Sequence, residues 1–108
     1  FKLDRIPFAA MDHGYGEDFT FNEAFSLIVN CKDQAEIDYF WDRLSAVPEA
    51  EQCGWLKDPF GVSWQVVPEF MDEVMYHGSR EEKERVTAAF LKMKKFDIEV
   101  LEQARNHE

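Results

Sequence analysis

Cys53-Gly54-Trp55-Leu56-Lys57-Asp58-Pro59-Phe60-Gly61-Val62-Ser63-Trp64-Gln65-Val66-Val67-Pro68 reads as two short strands joined by a tight turn. Lys57–Gly61 is the turn. Asp58 can accept from backbone N–H groups beyond it, Pro59 presets φ at the corner, and Gly61 supplies a positive φ. Val62–Val67 is rich in β-branched and aromatic residues, and Pro68 stops it because it lacks the ladder donor. Alternation gives this strand two faces. Val62, Trp64 and Val66 are apolar, whereas Ser63, Gln65 and Val67 are mixed. A sheet that keeps a semi-polar second face carries either water or a ligand on it.

Upstream, Ala24–Cys31 repeats the pattern: Phe25, Leu27, Val29 and Cys31 on one face, Ser26, Ile28 and Asn30 on the other. A helix follows, opened by Asp33 as N-cap with Glu36 three residues on and closed before Pro48. Its buried stripe holds Ile37, Phe40, Trp41 and Leu44. The natural partner for that stripe is the face carrying Leu27, Val29, Trp64 and Val66, with Trp64 expected to be buried beneath the Asp33–Ala46 helix. Such a layer is an α+β arrangement, a helix on one side of an antiparallel or mixed sheet. At the other end, Phe1–Leu3 and Ile6–Met11 flank a turn at Asp4-Arg5 and predict a hairpin. Asp12–Asp18 is a loop. Beyond Pro68 a short helix runs to Gly78, and Ser79 with Glu82 caps a longer one whose buried face holds Val86, Ala89, Phe90 and Met93. Asp97 caps a last helix with Ile98, Leu101 and Ala104. Arg80–Arg85 is a solvated helix face with an Arg80–Glu84 pair.

The 108 residues make one domain with room for one modest core. With 22 acidic against 12 basic residues, the net charge of −10 argues against nucleic acid and anionic membrane as partners. No apolar run approaches the roughly 20 residues of a membrane span, and no signal peptide is seen. Cys31 and Cys53 sit at strand-like positions without CxxC spacing. They read as reduced thiols of a cytoplasmic protein, a disulfide or redox role being the alternative. His13, His77 and His107 read as solvated histidines. No HxH, HExxH, GxSxG, P-loop or dinucleotide fingerprint is present.

The sixteen-residue run resembles the PhnB-like branch of the vicinal-oxygen-chelate superfamily, the glyoxalase/bleomycin-resistance/dioxygenase fold. The resemblance extends through Phe8–Asp12, Phe25–Cys31, Asp38–Trp41 and Met93–Ile98, and so covers nearly the whole chain. It implies a glyoxalase-like βαβββ module with residues 1–22 as the end of a first module, 24–68 as a second module and 69–108 as a C-terminal helical extension. The chain begins on Phe1 without a Met, and further sequence upstream is expected. Members often carry the label 3-demethylubiquinone-9 3-methyltransferase, but no stretch here looks like an S-adenosylmethionine site.

In the superfamily, metal ligands point from the first and last strands of each module into a cup-shaped sheet. Carried onto this chain, those positions are Ser26 and Gln65, with Asp12 at the end of the strand before. A hydroxyl, a carboxamide and one carboxylate suit a divalent metal poorly, so neither metal nor cofactor is expected. Asp12, Ser26, Asn30, Ser63 and Gln65 are the candidate cup face, which lines a small-molecule pocket or is simply hydrated. Two functions stay open: binding or transforming a small metabolite without a standard metal site, or a non-catalytic dimerisation scaffold. A metal-dependent lyase or dioxygenase is a third. Whether the protein is an enzyme is left open. The expected macromolecular partner is a second copy, because a half cup exposes sheet edges.

Overall fold

A computed structural model describes residues 1–11 and 19–106. Among these residues the architecture is mixed α+β, with two sheets and four α-helices, consistent with a glyoxalase-like βαβββ module followed by C-terminal helices. Strands β1 (Lys2–Leu3) and β2 (Ile6–Pro7) form the expected antiparallel hairpin, shorter than the pattern suggested. Asp4 and Arg5 both take positive φ, 48° and 68°, as a two-residue turn matched to strand twist requires. Beyond the strands, Phe1 and Phe8 exchange backbone hydrogen bonds and stack their rings.

The second sheet has the order β3–β5–β4. Strand β3 (Ser26–Cys31) runs parallel to β5 (Ser63–Pro68), and β4 (Trp55–Lys57) runs antiparallel to β5. A parallel pair needs a crossover, which helix α1 (Gln34–Leu44) supplies. Asp33 caps α1 by accepting from the Glu36 N–H, while Glu36 reaches back to the Lys32 N–H. After α1 come a 3₁₀ turn at Pro48–Ala50 and a single bridge, Gln52 to Trp55. That bridge is all that stands where a further strand would pair with β4.

Register decides the two faces. Leu27, Trp64 and Leu56 lie side by side, as do Val29 and Val66, and this face meets α1. Cys31, Leu56 and Val66 on the sheet and Ile37 and Trp41 on α1 are all buried. Trp64 is on the expected face but only half-buried, a correction to its placement beneath the helix. Its indole N–H needs an acceptor, and finds one at the sheet margin in Asp58 Oδ2, at 2.9 Å.

The three C-terminal helices, α2 (Glu69–His77), α3 (Arg80–Phe90) and α4 (Ile98–Asn106), join the same core through Met71, Val74, Val86 and Leu101. Ser79 and Glu82 form a complete capping box. Helix α3 ends at Phe90, so Met93 lies past its end, against the core, and is not on the helix itself. The segment after α3 is fastened back onto the module at two places. Met93 and Lys94 carbonyls accept from the Cys53 and Gly54 N–H groups, and Phe96 packs over Gly54. Gln34 then grips the chain with both ends of its amide: Nε2 donates to the Phe96 carbonyl and Oε1 accepts from the Ile98 N–H.

The Cys53-Gly54 pair corrects the sequence reading. Cys53 is not in a strand; with φ 51°, followed by Gly54 at 84°, it makes a second tight turn between Gln52 and Trp55. Glycine is required at position 54 twice over, because a Cβ there would also meet the Phe96 ring at 2.7 Å.

Two substitutions test this packing. Trp41→Ala removes a buried indole whose N–H bonds Glu51, and is expected to cost about 3–5 kcal/mol in urea unfolding. Asp58→Ala orphans two backbone donors and the Trp64 N–H, and is expected to cost about 3 kcal/mol. A loss below about 1 kcal/mol for either would contradict the arrangement.

Candidate functional site

The face of the sheet away from α1 is built in rows. Ser26, Ser63 and Lys57 are aligned across β3, β5 and β4, and Ile28, Gln65 and Trp55 form the next row. Asn30 beside Val67 continues the face toward its far end. Four of the expected residues, Ser26, Asn30, Ser63 and Gln65, therefore share one surface. Three are brought together, with the Gln65 Nε2 donating to Ser26 Oγ at 3.0 Å. Asn30 is exposed and stands apart from them. Asp12 lies outside the described residues, as do His13 and His107.

What places these side chains is the loop after β4. Asp58 is buried, and its Oδ1 accepts from the N–H groups of Phe60 and Val62 at 2.8 and 3.0 Å. The Asp58 N–H meets the Val62 carbonyl, and Gly61, at φ 88°, closes the turn. This locks a five-residue loop, so Lys57 is the last residue of β4 and faces Ser63. The sequence reading assigned Lys57 to the turn and so missed it. Counting the loop as Asp58–Val62 would have found it, because a five-residue connection puts Lys57 opposite Ser63.

At the β4 edge of this face is a cavity of about 390 Å³, lined among others by Lys57, Ser63, Trp55 and Glu23. The wall on the far side is the 3₁₀ turn and Gln52-Cys53. Glu23, on the turn that leads into β3, accepts from Lys57 Nζ at 2.6 Å. That hydrogen bond holds the Glu23 carboxyl below the usual carboxylate range.

Among the described residues the donor set does not make a metal centre. Gln65 donates to Ser26, and no three His, Cys, Asp or Glu side chains among those residues gather to hold a metal ion. Nor are the cysteines a pair: both are free thiols. Burial pushes the Cys31 thiol up to about 11, with Glu36, Asp33 and Glu69 adding repulsion to the thiolate. No helix is long and apolar enough to cross a membrane among the described residues.

A family model described as 3-demethylubiquinone-9 3-methyltransferase matches residues 1–67. The chain belongs to that family. The match to the 3-demethylubiquinone-9 3-methyltransferase family takes in the hairpin, the whole open face and the Asp58 loop, and stops before α2. No curated protein matches the chain.

Two measurements follow from this geometry. Replacing Lys57 by Met should raise the Glu23 carboxyl pKa toward its ordinary range, read by carboxyl NMR titration. An unchanged pKa would mean that the pair does not form in solution. Cys31 has a folded pKa raised above its ordinary 9.0, so its contribution to stability is present below about pH 9 and is lost as pH rises toward about 11. Wild type should lose stability across that window relative to Cys31→Ala, and parallel profiles would show that Cys31 is not buried.

Proposed function

We propose that this protein binds a small metabolite on the open sheet face, as a PhnB-like member of the vicinal-oxygen-chelate superfamily that works without a standard metal site. The observation that carries the reading is the cavity of small-molecule size lined by Lys57, Ser63 and Trp55 at the β4 edge, where Ser63 stands in one row with Ser26; Ser26, Asn30 and Gln65 lie on the same face but do not line the cavity. Polar groups placed by strands hold their positions better than groups on loops. The Ser63 hydroxyl and the Lys57 ammonium can orient an oxygenated molecule by hydrogen bonding. The family's name denotes a methyl transfer. The described residues around the cavity offer no glycine-rich turn at the foot of a helix for a nucleotide-like methyl donor, and the reading does not rest on that activity.

The active form is proposed to be a homodimer. Phe1, Leu3 and Ile6 on the hairpin and Phe21, Phe25 and Ile28 at or near β3 are all exposed, apolar side chains that a second copy can cover. Within the described sheet β3 is also an edge strand. A twofold arrangement lets identical patches cover each other, and at physiological salt the repulsion from a net charge of −10 is screened over roughly 8 Å. The exposed apolar patch also favours a second reading, a dimerisation scaffold of the same fold with no ligand.

Native mass spectrometry and elemental analysis of the protein as purified separate the two. A non-covalently bound small molecule is expected, on a dimer, with no stoichiometric metal. A dry, ligand-free dimer would favour the scaffold, and a monodisperse monomer by light scattering would overturn the assembly. Chelator treatment is expected to leave the melting temperature unchanged, because a structural metal would contribute folding free energy directly.

A further inference from the structure

The Lys57–Glu23 pair is asymmetric. Lys57 is held by a strand whose register is fixed, and its side chain is only 26% exposed. Glu23 belongs to the turn before β3, and its side chain is 64% exposed. An ion pair with one such solvated member contributes little to stability. The cation is thus built into the cavity, and the carboxylate reaches it from the rim.

We infer that Glu23 stands in for the carboxylate of the ligand, and that the cavity takes a small planar carboxylic acid whose anion displaces Glu23 from Lys57. This rests on the reading of the open face as a small-molecule site and adds the ligand's charge and shape. Exchange of one carboxylate for another on the same ammonium leaves the strength of the charge-assisted bond nearly unchanged. The net gain comes from what Glu23 does not touch: the half-buried Trp55 ring on the cavity wall, which offers a flat apolar surface, and the Ser63 hydroxyl next to Lys57. Charge-assisted bonds from an ammonium and a neighbouring hydroxyl fix the carboxylate end, and the ring selects a flat body.

A cationic ligand fits less well. Glu23 is already neutralised by Lys57, and Glu49, the other carboxylate at the cavity, is exposed on the 3₁₀ turn at the outer wall. An amine would be drawn to that rim and away from the sheet. The tethered Glu23 also competes at high effective concentration with any free carboxylate, so the site in the wild-type chain is self-occluded.

The two halves of the pair therefore have opposite effects on binding, which a merely structural ion pair would not show. The full chain is titrated with benzoate, and with benzamide and benzylamine as uncharged and cationic counterparts, following the Trp55 indole and the Lys57 and Ser63 amides by NMR. Benzoate is expected to shift these signals. Glu23→Gln should tighten it severalfold, Lys57→Met should weaken it roughly tenfold, and Lys57→Arg should restore most of the loss. The fold of each variant is checked in the same spectra. Equal binding of benzoate and benzamide, or equal effects of the Glu23 and Lys57 variants, would overturn the carboxylate assignment while leaving a small-molecule site in place. Preference for benzylamine would overturn it in favour of a cation. No shift with any of the three would sink both this assignment and the site.

Discussion

The Asp58 carboxylate is the contact on which the rest of the sheet depends. A carboxylate buried in a loop is costly unless its oxygens are hydrogen-bonded, and here three donors from three different residues bond both of them. Two are backbone groups of the same loop, so the loop has one conformation and one length. A loop of fixed length sets the register of β4 on β5, and a one-residue slip there would turn Leu56 out of the core and Lys57 into it. The third donor, Trp64, ties the loop to the apolar face. One side chain thereby fixes both faces of the sheet, the packed one and the open one.

The fold was legible where a residue type carries its own local instruction. Asp33 and Ser79 are found at helix starts because their side chains accept from N–H groups that the helix cannot satisfy itself. Asp58, Pro59 and Gly61 announce their turn in the same way. The turn at Cys53-Gly54 was not legible, because a cysteine between Gln and Gly on the way into Trp-Leu-Lys has the composition of a strand. Only tertiary contacts explain its positive φ: the Met93 and Lys94 carbonyls that take the Cys53 and Gly54 N–H groups, and the Phe96 ring that leaves no room for a Cβ. Helix α3 looked longer for a related reason, since Met93 continues the apolar period although the chain has already bent to reach Gly54.

The site was partly legible. Period-two alternation placed Ser26, Asn30, Ser63 and Gln65 on one face, and the register confirms that surface. Alternation says nothing about partners along the sheet, however. Asn30 belongs to the same face as Ser26 yet sits one row beyond Gln65, next to Val67. Lys57 and Glu23 are 34 positions apart and meet only because β4 and the turn before β3 reach the same end of the sheet. A charge pair of that kind leaves no periodic trace in the sequence.

The two faces divide the protein's work. Helix α1, with α2 beside β5, packs over one face of the sheet, where Leu27, Val29 and Trp64 stay half-buried, and the bonds that hold the helices in place are internal: Gln34 to the Phe96–Ile98 segment, and Arg85 to the last carbonyls of α4 at Ala104 and Arg105. None of these groups faces the cavity. Gln34 and Arg85 fasten helices, while Ser26, Ser63 and Lys57 lie in a row on the other face. There the polar groups bond one another across strands, and the ammonium of Lys57 is matched by a carboxylate from a solvated turn. A group matched so loosely is open to exchange, whereas the tightly held groups beneath the helices are not. The helices therefore act on the open face indirectly, by backing the three-stranded sheet whose register keeps Ser26, Ser63 and Lys57 in line.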